Sequence, residues 1–217
     1  MKKAFTMLEL VFVIVVIGII SAVVIPSTKT NPLREAAIQV VSHIRYTQHL
    51  AIVDDKFNSN DADWYRSRWE ILFGSSASTN GRIAYSIFSD RDNGSGHDTK
   101  PNKNELAVDP AAPNKYLSGG YSGIIDTDDS DANKKMNLGE SYGVDDVKLK
   151  DGCLGVRISF DHLGRPMEGT FNTYAQAYKK GTNIGLIQST CNIVLTSSEG
   201  NVTIAIEPET GYAHIKN

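Results

Sequence analysis

Cysteine is nearly absent. Cys153 and Cys191 are the only two in 217 residues, and neither belongs to a C-x-x-C pair, which leaves a zinc ribbon or a dithiol redox centre without ligands. Basic excess is missing as well: the formal charge is −3, so the chain lacks the general bias of a nucleic-acid binder, and nucleic acid is not an expected partner. There is no G-x-x-x-x-G-K-[ST] loop to hold a nucleotide and no G-x-S-x-G elbow to present a nucleophile. His43, His49, His97, His162 and His214 are scattered. His43 and His49 stand six apart rather than four, so they form no helix-borne metal pair. Asp161 and His162 adjoin a glycine turn without an accompanying nucleophile motif. Internal repeats and coiled-coil heptads are absent too. Together these absences leave no catalytic constellation, and the chain reads as a non-enzyme.

One long apolar run stands out against this background. Lys2 and Lys3 precede Phe5–Ile25, a stretch that would reach about 31 Å as a helix, enough for the hydrocarbon core of a bilayer. The run is too long for the apolar core of an ordinary secretory signal. It also contains one acid, Glu9. A carboxylate inside an apolar segment costs roughly 2.5–3.5 kcal/mol on insertion scales, so it needs a partner; a plain single-span anchor gives it none. If the chain were cut between Ala4 and Phe5, the new α-ammonium of one subunit could be neutralised by Glu9 of the next. The flanking lysines hold the N-terminus in the cytoplasm and place the remainder outside the inner membrane, which in a two-membrane bacterium is the periplasm. That compartment favours a Cys153–Cys191 bridge, with two buried thiols as the alternative.

The ordered sequence of basic leader, small residue, Phe5, Thr6, Glu9 and then unbroken hydrophobicity resembles the class III signal and N-terminal helix of type IV pilins and type II secretion pseudopilins. The resemblance covers roughly residues 1–26. It implies cleavage after Ala4 by a prepilin peptidase, N-methylation of Phe5, and Glu9 setting register between subunits. Gly18 and Pro26 fall where the family's helix is weakened or kinked. One departure is Ala4, where the family usually has glycine. A looser likeness covers the C-terminal third: Phe160-Asp-His-Leu-Gly-Arg-Pro166 and Glu207-Pro-Glu-Thr-Gly-Tyr-Ala-His-Ile215 are similar to a turn and a terminal strand of GspH/FimT-type minor subunits. The family implies an inner-membrane assembly platform and other pilin or pseudopilin subunits as partners. The expected function is a minor pseudopilin of a secretion pseudopilus, the alternative a minor type IV pilin in adhesion, motility or DNA uptake.

The expected organisation is a leader at 1–4, a transmembrane and polymerisation helix at 5–25, an amphipathic continuation at 26–54, and a periplasmic β-rich domain at 55–217. The polar stretch at 26–31 would bend or briefly break the helix. Asn31 and Pro32 form a start signal, and Ala37, Val40, Val41, Ile44, Gln48 and Ala51 repeat at helical spacing, with Arg34, Gln39 and Arg45 free to face outward. Strands are expected at 68–73, 82–88, 154–160, 192–196, 202–206 and 212–215, with a hairpin at Ser197–Asn201. Residues 89–146 lack periodicity and read as an elaborated loop region with one or two short strands near Tyr116 or Ile124. Helix first and strands after give an α+β class, an antiparallel sheet packed on the helix.

Two acidic clusters raise the question of calcium, which takes six to eight oxygens from flexible loops. One comprises Asp90, Asp92 and Asp98, the other Asp126, Asp128, Asp129 and Asp131. The first departs from EF-hand spacing, because Gly94 occupies the third ligand position and no Glu follows correctly. A solvated, turn-rich loop is the plainer reading of both, with calcium as the alternative and no other cofactor expected. Trp69 alternates into a strand and reads as core.

Overall fold

The computed structural model describes residues 6–24, 31–91, 96–168, 176–178 and 185–216. The chain divides into two units, Met1–Asn31 and Pro32–Asn217.

The first unit is helix α1, Met7–Val24. Its start is fixed by a capping box: the Thr6 amide donates to Glu9 Oε2 at 3.0 Å, and the Glu9 amide donates to Thr6 Oγ1 at 3.3 Å. The helix runs without a break through Gly18. Its 18 residues rise about 27 Å, and among the described residues no helix is long and apolar enough to cross a membrane. The expected span at 5–25 has both ends, Phe5 and Ile25, outside the described residues, as are Ala4, Pro26 and the bend at 26–30.

The second unit opens with α2, Pro32–Val53, which starts where the Asn31-Pro32 signal places it. Leu33, Ala36, Ala37, Val40, Val41, Ile44, Thr47 and Ala51 form its buried stripe. Two residues expected to face outward also tie the helix down. Gln39 Nε2 donates to the Tyr85 hydroxyl at 2.9 Å and to the Lys135 carbonyl at 2.8 Å. Arg45, an exposed residue, donates through Nη2 to the Ala213 carbonyl at 2.8 Å.

The strands build two antiparallel sheets where one was expected. The first has β1 (Trp69–Gly74), β2 (Ala84–Ser89), β6 (Arg157–Phe160), β7 (Pro166–Glu168) and β8 (Gly185–Leu186), in the order β2-β1-β6-β7-β8. The second has β5 (Val144–Asp151), β9 (Cys191–Ser197), β10 (Gly200–Ile206) and β11 (Ala213–Ile215), in the order β11-β10-β9-β5. A short ribbon pairs β3 (Val108–Asp109) with β4 (Ala112–Tyr116). The apolar stripe of α2 shares one core with Ile71, Phe73, Ile158 and Phe160 of the first sheet and Leu149, Ile193, Ile204 and Ile206 of the second. Each of these positions takes the inward place in a two-residue alternation.

The chain crosses from the second sheet to the first between β5 and β6, and that crossing is stapled. Cys153 and Cys191, both fully buried, form a disulfide with a Cα–Cα distance of 5.0 Å. A Cβ on Gly152 would lie 1.9 Å from the Ser189 oxygen, so only glycine lets the two segments meet beside the bridge.

Residues 89–91 and 96–146 are more ordered than their composition suggests. They cover the far face of the first sheet and build a second small core from Leu72, Phe88, Leu106, Ile125 and Ala132. They also contain α3 (Leu138–Tyr142), capped by the Asn137 side chain, which accepts from the Glu140 amide at 3.1 Å.

Candidate functional site

Of the residues expected to matter for assembly, Glu9 is described and Ala4, Phe5 and Pro26 are not. Glu9 has a partner in its own chain: Oε2 accepts from both the amide and the hydroxyl of Thr6, each at 3.0 Å. The sequence carries the signal for this bond as Thr6-x-x-Glu9, a capping-box pattern. The local bond lowers the cost of the acid, because two donors satisfy the carboxylate before any second molecule arrives. The apolar side chains of α1 stand exposed, including Leu8, Phe12, Ile14 and Ile19. A contiguous apolar surface of this kind calls for cover by lipid or protein.

The two C-terminal motifs, whose turn glycines lie 47 residues apart in sequence, are brought together. Gly164 and Gly211 both adopt left-handed backbone, with φ of 78° and 62°. Gln48 of α2 bridges them, its Nε2 donating to the carbonyls of Gly164 and Thr210, each at 2.8 Å. The approach is tight, since a Cβ on Gly211 would lie 2.4 Å from the Gly164 oxygen. Asp161 closes the first turn, accepting from the amides of Leu163 at 3.0 Å and Arg165 at 2.8 Å and pairing with the Arg165 guanidinium at 2.8 Å. It is fully buried and its lone pairs are taken by the turn, which suits a strut rather than a base. Around this junction Ile52, Leu163 and Tyr212 are about half or more exposed.

The carboxylates of Asp90, Asp98, Asp128, Asp129 and Asp131 make local contacts. Asp90 is buried, and its Oδ2 accepts from the Thr99 amide at 2.6 Å; Asp98 accepts from the Lys100 amide at 2.9 Å; Asp92 lies outside the described residues. In the second cluster Asp128 pairs with Lys134 and Asp131 with Lys103, both at 2.8 Å, while Asp129 accepts from the Asp126 amide at 2.9 Å. Among the described residues no three acidic, histidine or cysteine side chains are placed to hold one metal ion.

Beneath the loop layer lies a buried charge pair. Glu70 of β1 and Arg157 of β6 meet at 3.0 Å, and Arg157 Nη1 also donates to the Thr99 carbonyl at 3.1 Å. Burial pushes the Glu70 carboxyl up to about 7, against the opposing pull of Arg157. Burial likewise pushes Asp90 up to about 6, although the Thr99 amide opposes it. Thr99 is therefore held through both its amide and its carbonyl, in a left-handed conformation with φ 64° that a β-branched residue rarely adopts. At the α2–β2 contact, burial lowers the pKa of His43 and raises that of Tyr85; His43 Nδ1 lies 2.7 Å from the Tyr85 hydroxyl. Trp69 is buried as core, its indole N–H donating to Asp54 at 2.9 Å.

Comparison with family models, with curated proteins and with solved structures found no match for this chain.

Proposed function

We propose that this chain is a structural subunit, a minor pseudopilin of a type II secretion pseudopilus, with a pilin-like arrangement of helix and sheet. A prepilin peptidase cuts after Ala4, the inner-membrane assembly platform receives the processed subunit, and the N-terminal helix packs into the filament. The globular domain lies on the periplasmic side. The observation that carries this reading is the N-terminal order of residues: Lys2-Lys3-Ala4, Phe5, Thr6, Glu9, then an apolar helix whose side chains stand uncovered. The α+β domain, with its buried disulfide, supports an exported location.

The chemistry separates two tasks for Glu9. Capping α1 needs only an acceptor at that position, which glutamine also supplies. Neutralising the α-ammonium of a neighbouring subunit needs a full negative charge. Glu9→Gln therefore tests the reading by filament assembly in cells and by membrane fractionation. The variant is expected to insert normally and fail to assemble, whereas Thr6→Ala keeps the charge and assembles. Filaments of normal length from Glu9→Gln would overturn the charge-pairing mechanism.

A further inference from the structure

The β9–β10 hairpin carries Asn201-Val202-Thr203, an N-x-[ST] triplet, the acceptor pattern for an N-linked saccharide. A second triplet, Asn93-Gly94-Ser95, lies outside the described residues. Two residues ahead of Asn201 stands an acid, Glu199; Arg91 holds the same place ahead of Asn93. Ser198, Glu199, Gly200 and Asn201 are all exposed. Ile204 and Ile206 of β10 point into the core shared with α2, so by alternation Asn201 and Thr203 lie together on the face turned away from it.

The edge of the strand is open at the same place. β11 pairs with β10 over Ile204–Ile206, and the Lys216 amide donates to the Thr203 carbonyl at 2.8 Å. Among the described residues Gly200, Asn201 and Val202 therefore pair with β9 alone. A Cβ on Gly200 would meet nothing within 4 Å. The one inward side chain of β10 in this tip, Val202, is only partly buried, so the tip can fray and bend while Ile204 and Ile206 hold the core. Bending brings the Thr203 hydroxyl, about 7 Å along an extended strand, up to the Asn201 carboxamide.

We propose that Asn201 is the acceptor of an N-linked saccharide, and that a periplasmic transferase grips the hairpin through the Glu199 carboxylate. The donor is a glycosyl pyrophosphate carried on an isoprenoid lipid. Asn201 Nδ2 attacks the anomeric carbon; the N–C bond forms, the C–O bond breaks with its electron pair leaving on the pyrophosphate, and one amide proton passes to a base of the transferase. The chain gains the mass of the saccharide less one water. The attached sugar covers the unpaired edge at 200–202, which otherwise offers free backbone groups to another strand. This inference rests on the exported location given under the proposed function.

The test is peptide mapping by tandem mass spectrometry of the full chain from its native membrane. The expected result is a saccharide increment on the peptide containing Asn201, localised to that residue, and none at Asn93. Asn201→Gln, Thr203→Val and Glu199→Gln should each abolish the increment, while Thr203→Ser keeps it. Retention of the Cys153–Cys191 bridge in the same spectra confirms that a variant is folded. A processed and bridged chain without the increment overturns glycosylation and leaves the export reading standing. An uncut, reduced and unmodified chain overturns both. An increment that maps to Asn93, or survives Asn201→Gln, also overturns the assignment, and one that survives Glu199→Gln overturns recognition through that acid.

Discussion

Glu70→Gln should make the protein more stable relative to the parent as pH rises, the reverse of the usual loss of a carboxylate. Glu70 is 1% exposed, and burial raises its pKa from 4.5 to about 7. The folded state thus holds a proton that the unfolded chain has released. Between these two values the unfolded state gains at the expense of the folded one as pH rises, and below 4.5 the effect vanishes because both states are protonated. Integrated from about pH 5 to about pH 8, the parent loses about 2–3 kcal/mol that the glutamine variant does not. For a domain of this size that is a relative shift of roughly 5–10 °C in the unfolding midpoint. The assay is thermal unfolding of both proteins across that range. Their difference cancels the groups that do not interact with Glu70, such as Asp128, while Asp90, which feels the Glu70 charge and is itself raised to about 6, contributes to it. A pH-independent difference, or a variant that loses ground as pH rises, would refute the reasoning. The second outcome would mean that Arg157 more than repays the desolvation of Glu70.

Other perturbations have equally definite outcomes. Gln48→Ala removes both bonds that join the two glycine turns and should cost about 1–3 kcal/mol in denaturant unfolding. Gly211→Ala should cost more than Gln48→Ala, since its new methyl meets the Gly164 oxygen in a left-handed backbone; a smaller loss would mean the turns slide apart freely. Cys153→Ser with Cys191→Ser opens a loop of sequence separation 38 and should lower stability by about 3–4 kcal/mol, measured against the parent under oxidising conditions. Ile44→Ala, at a fully buried position between the two sheets, should cost about 2–5 kcal/mol.

The legible parts of the fold were those where one periodicity dominates. The stripe from Ala37 to Ala51 gave α2 almost to the residue, and the Ser-Ser-Glu-Gly-Asn turn gave the β9–β10 hairpin. The strand β5 is not legible in the sequence because Asp145, Asp146, Lys148 and Lys150 mask an alternation of only Val147 and Leu149, with a bulge near Val144. Residues 89–146 looked like loop because their core is assembled from single apolar residues far apart, such as Leu106, Ile125 and Ala132. The single sheet became two because nothing local marks the turn from β5 into β6; only the Cys153–Cys191 contact does. At the candidate sites, Gln48 is by sequence one more position in a stripe, and its bridging of two distant turns is a tertiary fact. The acidic residues suggested calcium by composition. Their lysine and amide partners, Lys103, Lys134 and the Thr99 backbone, stand tens of residues away or across a turn.

The central claim is that this chain is processed and polymerised through its N-terminus. Intact mass and N-terminal peptide mass, measured on protein from its native membrane, test it most directly. The account predicts a mature chain beginning at N-methylated Phe5, with the mass of two hydrogens lost to the Cys153–Cys191 bridge. A chain that retains Met1 would contradict it and reduce the N-terminal helix to an uncut apolar segment.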